Sequence, residues 1–107
     1  MEQPNLNYIN QLARGDDSIR KTLLDVIKTE FPQDIKDYYE SVEIKDFKKI
    51  EENVHRIKHK FGILGLDKSY DKANEFESHL RDKQFNLKEQ QNFNKILITI
   101  SEYLQTI

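Results

Sequence analysis

Two of the three histidines in the chain, His55 and His59, lie four residues apart in the segment VHRIKHKFGILGL, residues 54–66. Imidazole can act as a nucleophile, a proton carrier or a metal ligand, because its unperturbed pKa lies near 6.5. A spacing of four residues places both rings on one face of a helix. The pair is therefore compatible with covalent transfer to histidine, metal binding, packing in a core or simple solvation.

The apolar residues of this segment lie on a different side of the helix from the histidines. Residues follow one another at about 100° around an α-helix. Lys58, His59 and Gly62 then fall within about 60° of His55. The apolar stripe falls between about 180° and 280° from His55 and consists of Phe47, Ile50, Val54, Ile57, Phe61 and Leu64. The periodicity argues against a core position for the two histidines.

Metal binding by the two histidines is a weaker hypothesis than solvation or transfer. Histidines at i and i+4 can share one ion, but the chain has no cysteine and no HExxH motif. Lys58 and Lys60 would repel a cation, and a third ligand would have to be His79 or a carboxylate from elsewhere. We therefore expect no metal site.

Gly62 lies two turns from His55 on the same face. Glycine inside a helix costs about 1 kcal/mol relative to alanine. It removes bulk where another surface could approach the neighbouring imidazole. A tolerated surface glycine, or one at a fraying helix end, is the alternative.

The whole chain has the composition of a small helical protein. It has 107 residues, of which 34% are charged and 36% hydrophobic, with only 3 glycines and 2 prolines. Such a chain forms one domain, residues 1–107, with too few turn residues for an all-β fold. The net charge of −2 does not indicate a nucleic-acid partner. No apolar run resembles a secretory signal or a membrane span, so we expect a cytoplasmic protein. The complete helical patterning and the absence of cysteine lead us to expect a monomer.

Apolar spacing predicts an all-α fold with a short first helix and four long ones, arranged as an antiparallel up-down-up-down four-helix bundle. The second helix follows Gly15 and the capping pair Asp16-Asp17, and we expect Pro32 to kink it or to break and restart it. The third begins near Asp46 and runs to about Leu64, with Gly65 as the residue that ends it.

The fourth predicted helix covers about residues 67–82. The last begins at a capping box formed by Asn86 and Glu89. The apolar residues predicted to be buried on these two helices are Leu66, Ala73, Phe76, Leu80, Leu87, Phe93, Ile96, Leu97, Ile100 and Leu104.

The segment His55-Arg-Ile-Lys-His-Lys-Phe-Gly-Ile-Leu-Gly65 resembles the signature of histidine-containing phosphotransfer (HPt) domains. In that family, His-x-Leu-Lys-Gly, with a Leu-Gly pair further on, lies on the third long helix of a four-helix bundle. The histidine, the aliphatic residue two positions on, Lys58 and the final Leu-Gly all match. His59 stands where the family usually has glycine. The resemblance extends over nearly the whole chain, including the helix interrupted by Pro32 and the segment SYDKANEFESHL.

The resemblance implies that His55 accepts a phosphoryl group from an aspartyl phosphate on a receiver domain, or from a histidine kinase, and passes it to another receiver. It implies that Lys58 offsets charge on the phosphoryl oxygens. His59 and Gly62 would belong to the docking surface, and Arg81 would help to hold the phosphohistidine.

Glu77 is expected only to pair with Arg81 at i+4. The chain has no glycine-rich loop or P-loop, so the resemblance implies a phosphocarrier without a cofactor of its own and not an enzyme. The partners would be a response-regulator receiver domain, a hybrid histidine kinase, or both, with no nucleic acid or membrane. A helical interaction module that is not phosphorylated is the alternative, because of His59.

Overall fold

The computed structural model describes residues 2–107, so Met1 of the predicted domain lies outside the described residues. This part of the chain is helical and contains no strand, which confirms the all-α prediction. The helices are α1 (Asn7–Ala13), α2 (Asp17–Glu43), α3 (Phe47–Ile63), α4 (Asp67–Arg81) and α5 (Leu87–Leu104). Helix α3 packs between α2 and α4, and α5 closes the bundle against α2 and α4.

The predicted helix starts are confirmed by side chains that cap free backbone N–H groups. Asp16 accepts hydrogen bonds from the N–H groups of Ser18 and Ile19, and Asp46 accepts one from Lys49. Asn86 caps α5 by accepting from the N–H of Glu89. The other hydrogen bond of the predicted capping box, from the Asn86 N–H to the Glu89 side chain, does not form at the start of α5. The Glu89 carboxylate binds His79 instead.

Gly65 ends α3 in the way that its position predicted. Its φ of 78° lies in the left-handed region, and the N–H groups of Gly65 and Leu66 donate to the carbonyls of Gly62 and Phe61. These two bonds form a Schellman motif. A Cβ at Gly65 would lie 2.5 Å from the amide of Asn5. The tight turn brings α4 back along α3 and places their side chains face to face.

Pro32 does not break the second helix: of the two outcomes predicted for it, a kink or a break and restart, the break and restart is wrong. Helix α2 continues from Asp17 to Glu43 with Pro32 inside it. Residues on both sides of the proline are buried in the core, including Ile27, Phe31 and Tyr38. Their burial holds both halves of α2 against the other helices and offsets the backbone hydrogen bond that proline cannot donate.

The core forms where the apolar stripes meet. The stripe of α3 is buried as predicted at Ile50, Val54, Ile57 and Phe61, which are at most 1% exposed, whereas Phe47 at its start is only partly buried. The prediction for Leu87 is wrong, because this side chain is 62% exposed. Leu87 is the first residue of α5, ahead of the part of that helix that packs on the core. No helix among residues 2–107 is long and apolar enough to cross a membrane.

Candidate functional site

His55 projects from α3 beside a buried carboxylate on α4. Its side chain is 55% exposed, and its Nδ1 lies 2.7 Å from Oε1 of Glu77. Burial raises the pKa of Glu77, but hydrogen bonds from Lys58 and then His55 outweigh it, so the pKa lies below its ordinary value. An ionised carboxylate only accepts hydrogen bonds. Nδ1 of His55 therefore carries the proton, and the lone pair of the neutral ring lies on Nε2.

Lys58 is buried, although the helical wheel placed it beside His55 on the solvated face. Its side chain lies at the α3–α4 interface, where Nζ donates to Oε2 of Glu77 at 2.6 Å and to Oδ1 of Asn74 at 2.7 Å. Nζ also lies 5.6 Å from the centre of the Tyr70 ring. The position is buried because α4 covers this side of α3. Lys58 thus neutralises the carboxylate that holds His55.

Arg81 lies on the outer side of the same cluster. Its Nε donates to Oε1 of Glu51 at 2.8 Å, and its Nη2 lies 3.4 Å from Oε1 of Glu77. The hydrogen bond to Glu51 raises the pKa of Arg81. The predicted Glu77–Arg81 pair is therefore present, but Lys58 and His55 are the closer partners of Glu77.

His59 lies edge-on to His55. The ring centres are 4.9 Å apart at an interplanar angle of 87°, and the two Nε2 atoms are 3.4 Å apart. Partial burial, and then the charges of His55 and Lys58, lower the pKa of His59. His59 is exposed, so the two histidines share one solvent-facing edge of α3.

Gly62 faces a side chain of its own chain. A Cβ at this position would meet the Tyr70 ring at 3.6 Å, an ordinary van der Waals distance. The space above Gly62 is thus bordered by Tyr70, whose ring also lies 6.5 Å from that of His59. Tyr70 packs beside Gly62 and Lys58 at a distance that an alanine at position 62 would also allow.

An apolar groove begins at His59 and runs between α1, α2 and α3. Leu12 and Val26 on its walls are each 47% exposed. Leu23 and Ile63 complete the part of the groove that reaches His59. The candidate site thus has a polar side toward α4 and an apolar side toward α1 and α2.

The model of the Hpt domain family matches residues 22–106, which include all the residues of the polar cluster. The chain belongs to the Hpt domain family. Membership implies a phosphotransfer role in two-component systems, in which Hpt domains are phosphocarriers. No curated protein and no solved structure gives a significant match.

Glu77 and Asn74 are the residues of this Hpt domain whose roles the sequence analysis missed. A signal for Glu77 was present: it lies four residues after Ala73 and three before Leu80, both buried. A carboxylate at such a position on the apolar stripe must have a charged or hydrogen-bonding partner. Lys58, one turn beyond His55 on the facing helix α3, was the obvious partner for Glu77.

His79 lies apart from the other two histidines of the Hpt domain. Its Nδ1 binds Oε1 of Glu89 at 2.8 Å, and Glu89 raises its pKa through that hydrogen bond. Across residues 2–107, no three or more His, Cys, Asp or Glu side chains come together in a way that could hold a metal ion. His79 is therefore not the third ligand that the sequence analysis considered.

Proposed function

We propose that this Hpt domain is a phosphorelay carrier in which Nε2 of His55 accepts a phosphoryl group from the aspartyl phosphate of a receiver domain. A histidine kinase could donate it instead, and a second receiver would take it on. One observation carries the proposal. The buried carboxylate of Glu77 holds Nδ1 of the exposed His55 at 2.7 Å, which leaves the Nε2 lone pair as the nucleophile.

The transfer requires no proton to move at the attacking atom. Nε2 carries no hydrogen, so it forms the N–P bond directly while the P–O bond to the aspartyl carboxylate breaks. The leaving carboxylate takes the electron pair of that bond. The imidazole becomes positive as the bond forms, and Glu77, 2.7 Å from Nδ1, stabilises that charge. Transfer to a second receiver is the same step in reverse.

Lys58 and Arg81 act in the proposal as cations beside the transferred group. Lys58 keeps Glu77 ionised through a hydrogen bond of 2.6 Å. It lies about one turn from His55, which supports its expected role in offsetting charge on the phosphoryl oxygens. Arg81, whose side chain is 62% exposed, is available to a phosphate that approaches from solvent.

The receiver docks, in this proposal, across His59 onto the apolar groove lined by Leu12, Leu23, Val26 and Ile63. The groove adjoins the phosphoacceptor, so a partner covering it would bring its own active site to His55. Half-exposed apolar side chains around a functional residue are typical of a binding surface. We further propose that residues 1–107 act as a single monomeric domain in the cytoplasm.

An interaction module without phosphoryl transfer is the alternative function. The observation that favours it is the position of His59, whose Nε2 lies 3.4 Å from the proposed nucleophile. If the Nε2–H of His59 donated permanently to the lone pair on Nε2 of His55, the receiver would dock but no phosphoryl group would be transferred.

Incubation with a phosphorylated receiver domain separates these two functions. A carrier acquires phosphate that is labile in acid and stable in base, as expected for a phosphoramidate on histidine. A module that only binds would co-purify with the receiver and acquire no such phosphate.

A further inference from the structure

We propose that His55 and His59 form a two-histidine site for a divalent transition-metal ion, Zn²⁺ or Cu²⁺, and that the bound ion and the phosphoryl group exclude each other. The exclusion rests on the proposed function, because it concerns the same nucleophile. The binding of the ion does not.

The spacing of the two nitrogens is the first observation. The Nε2 atoms of His55 and His59 are 3.4 Å apart. Two nitrogens bound to one tetrahedral zinc ion at 2.0–2.1 Å are separated by about 3.4 Å. The two histidines therefore already have the separation that a shared ion requires, on one face of a continuous helix.

The contact between His55 and Glu77 is the second observation. Histidines that bind metals commonly donate their other ring N–H to a carboxylate, which fixes the tautomer and the ring orientation. The 2.7 Å contact of Nδ1 with Oε1 of Glu77 provides this support. Glu77 thus prepares Nε2 for a metal ion in the same way as for a phosphoryl group.

The positive charges around the pair, which help to lower the pKa of His59, are partly offset by carboxylates. Lys58 is paired with Glu77 at 2.6 Å, and Lys60 with Asp34 at 2.7 Å. Both lysines are buried in these pairs, so each ammonium charge is matched by an adjacent carboxylate.

Water must complete the coordination sphere, since two side chains supply only two ligands. Imidazole ligands suit zinc, copper and nickel, whereas magnesium and calcium prefer oxygen. The site should therefore bind Zn²⁺ or Cu²⁺ and discriminate against Mg²⁺. Mg²⁺ is therefore the control cation that should not bind.

Exclusion follows from the single lone pair on Nε2 of His55. A metal ion bound there occupies the electrons that must attack phosphorus. A phosphoryl group bound there leaves His59 as a single imidazole ligand without its partner. Free transition-metal ions would therefore act on the carrier as a competitive block at its nucleophile.

Calorimetric titration of the unphosphorylated protein with Zn²⁺ tests the site itself. We expect one ion per chain, no binding of Mg²⁺, and affinity at least about tenfold weaker in His55→Gln and in His59→Ala. Glu77→Gln should lose about 10–100-fold, the usual effect of removing such a supporting carboxylate. His79→Ala is the matched control and should bind as the wild type does. With Cu²⁺, electron paramagnetic resonance should show two coordinated nitrogens.

Equal Zn²⁺ affinity in the wild type and His59→Ala would overturn the site, as would loss of binding in His79→Ala.

Phosphoryl transfer from one receiver preparation, with and without saturating Zn²⁺, tests exclusion. Zn²⁺ should slow the wild type at least about tenfold and slow His59→Ala, whatever its basal rate, much less, because His59→Ala binds the ion more weakly. Equal slowing of both proteins would place the effect on the receiver and overturn exclusion. A wild type that takes no phosphate without Zn²⁺ would overturn the proposed function and exclusion, while binding is still decided by calorimetry.

Discussion

Helix α3 carries two buried lysines, and each is paired with a buried carboxylate on a neighbouring helix. Lys58 pairs with Glu77 of α4 at 2.6 Å, and Lys60 pairs with Asp34 of α2 at 2.7 Å. The carboxylates are 4% and 6% exposed. Each pair links α3 to one neighbouring helix, so a buried lysine–carboxylate contact is not by itself a sign of function.

The two clusters differ in the residue that reaches the carboxylate from the solvent side. In the α3–α4 cluster this residue is His55, whose ring in its neutral form has a lone pair on Nε2 when Nδ1 donates to Glu77. In the α2–α3 cluster it is Arg56, 3.7 Å from Asp34, and a guanidinium has no lone pair to donate. We infer from this comparison that the proposed chemistry resides in His55, the residue that reaches the carboxylate from solvent, while the ion pair supplies position and charge.

Asp34→Ala should break the structural cluster and have the largest effect on stability. It leaves Lys60 buried with only the exposed Glu30 nearby, at 3.2 Å. We expect the free energy of unfolding to fall by about 3 kcal/mol, measured by urea denaturation. Phosphoryl acceptance, assayed where the protein is folded, should be unchanged. Glu30→Ala is the control and should cost at most about 1 kcal/mol. A transfer defect in folded Asp34→Ala would end the distinction between the clusters.

Glu77→Gln should affect both stability and transfer, unlike any change in the α2–α3 cluster. Glutamine keeps the shape but removes the charge opposite Lys58 and His55, at a cost of about 2 kcal/mol of stability. The rate of phosphoryl acceptance should fall about tenfold, which corresponds to about 1.4 kcal/mol of transition-state stabilisation. Phosphoryl transfer stopped at successive times measures the rate, and urea denaturation measures the stability. An unchanged rate would show that Glu77 only positions α4.

Gly62 sharpens the comparison, because it lies beside Tyr70 on the α4 side of the helix. Gly62→Ala adds a methyl group at an ordinary distance from Tyr70. It should raise stability by up to about 1 kcal/mol through helix propensity. Gly62→Leu should fold but push Tyr70 aside and weaken receiver binding, measured by calorimetry. Wild-type receiver affinity in Gly62→Leu would remove Gly62 from the docking surface.

The smallest expected effect concerns two histidines, His59 and His79, whose pKa values should shift in opposite directions. His59 should titrate below the ordinary histidine pKa near 6.5, because burial and then the charges of His55 and Lys58 disfavour its protonation. Its contribution to stability is present above pH 6.5 and is lost as the pH falls through the folded value. His79 should titrate above 6.5 because of Glu89. Its contribution is present below pH 6.5 and is lost as the pH rises through the folded value.

Imidazole resonances followed by NMR across this range would measure both values. Glu89→Gln should return His79 toward 6.5 and leave His59 where it is. A His59 pKa above 6.5 would contradict the positive surroundings that the α3–α4 cluster is inferred to have.

The periodicity of the sequence predicted the fold better than it predicted the burial of charged residues. The stripe Ile50, Val54, Ile57, Phe61 identified the core face of α3, and Asp46 and Gly65 marked its ends, because these signals are local. The burial of Lys58 and Lys60 was missed. A helical wheel divides one helix into two faces, whereas α3 is covered on two sides, by α2 and by α4.

The α3–α4 cluster could be predicted only in part for the same reason. His55 and Lys58 followed from spacing and resemblance within one helix. The link to Glu77 depends on the register of α4 against α3, which the tight turn at Gly65 fixes in three dimensions. Pro32 shows the opposite limit: a strong local signal for a break is overridden by the burial of Phe31 and its neighbours.

Site-resolved phosphorylation of two matched variants tests the central claim most directly. Each protein would be incubated with the same phosphorylated receiver, and the phosphate located by mass spectrometry under basic conditions. We predict that His55→Gln takes up no phosphate with its helicity unchanged, and that His59→Ala is phosphorylated on His55 at a changed rate. Phosphate on His55→Gln together with none on His59→Ala would contradict the account and make His59 the acceptor.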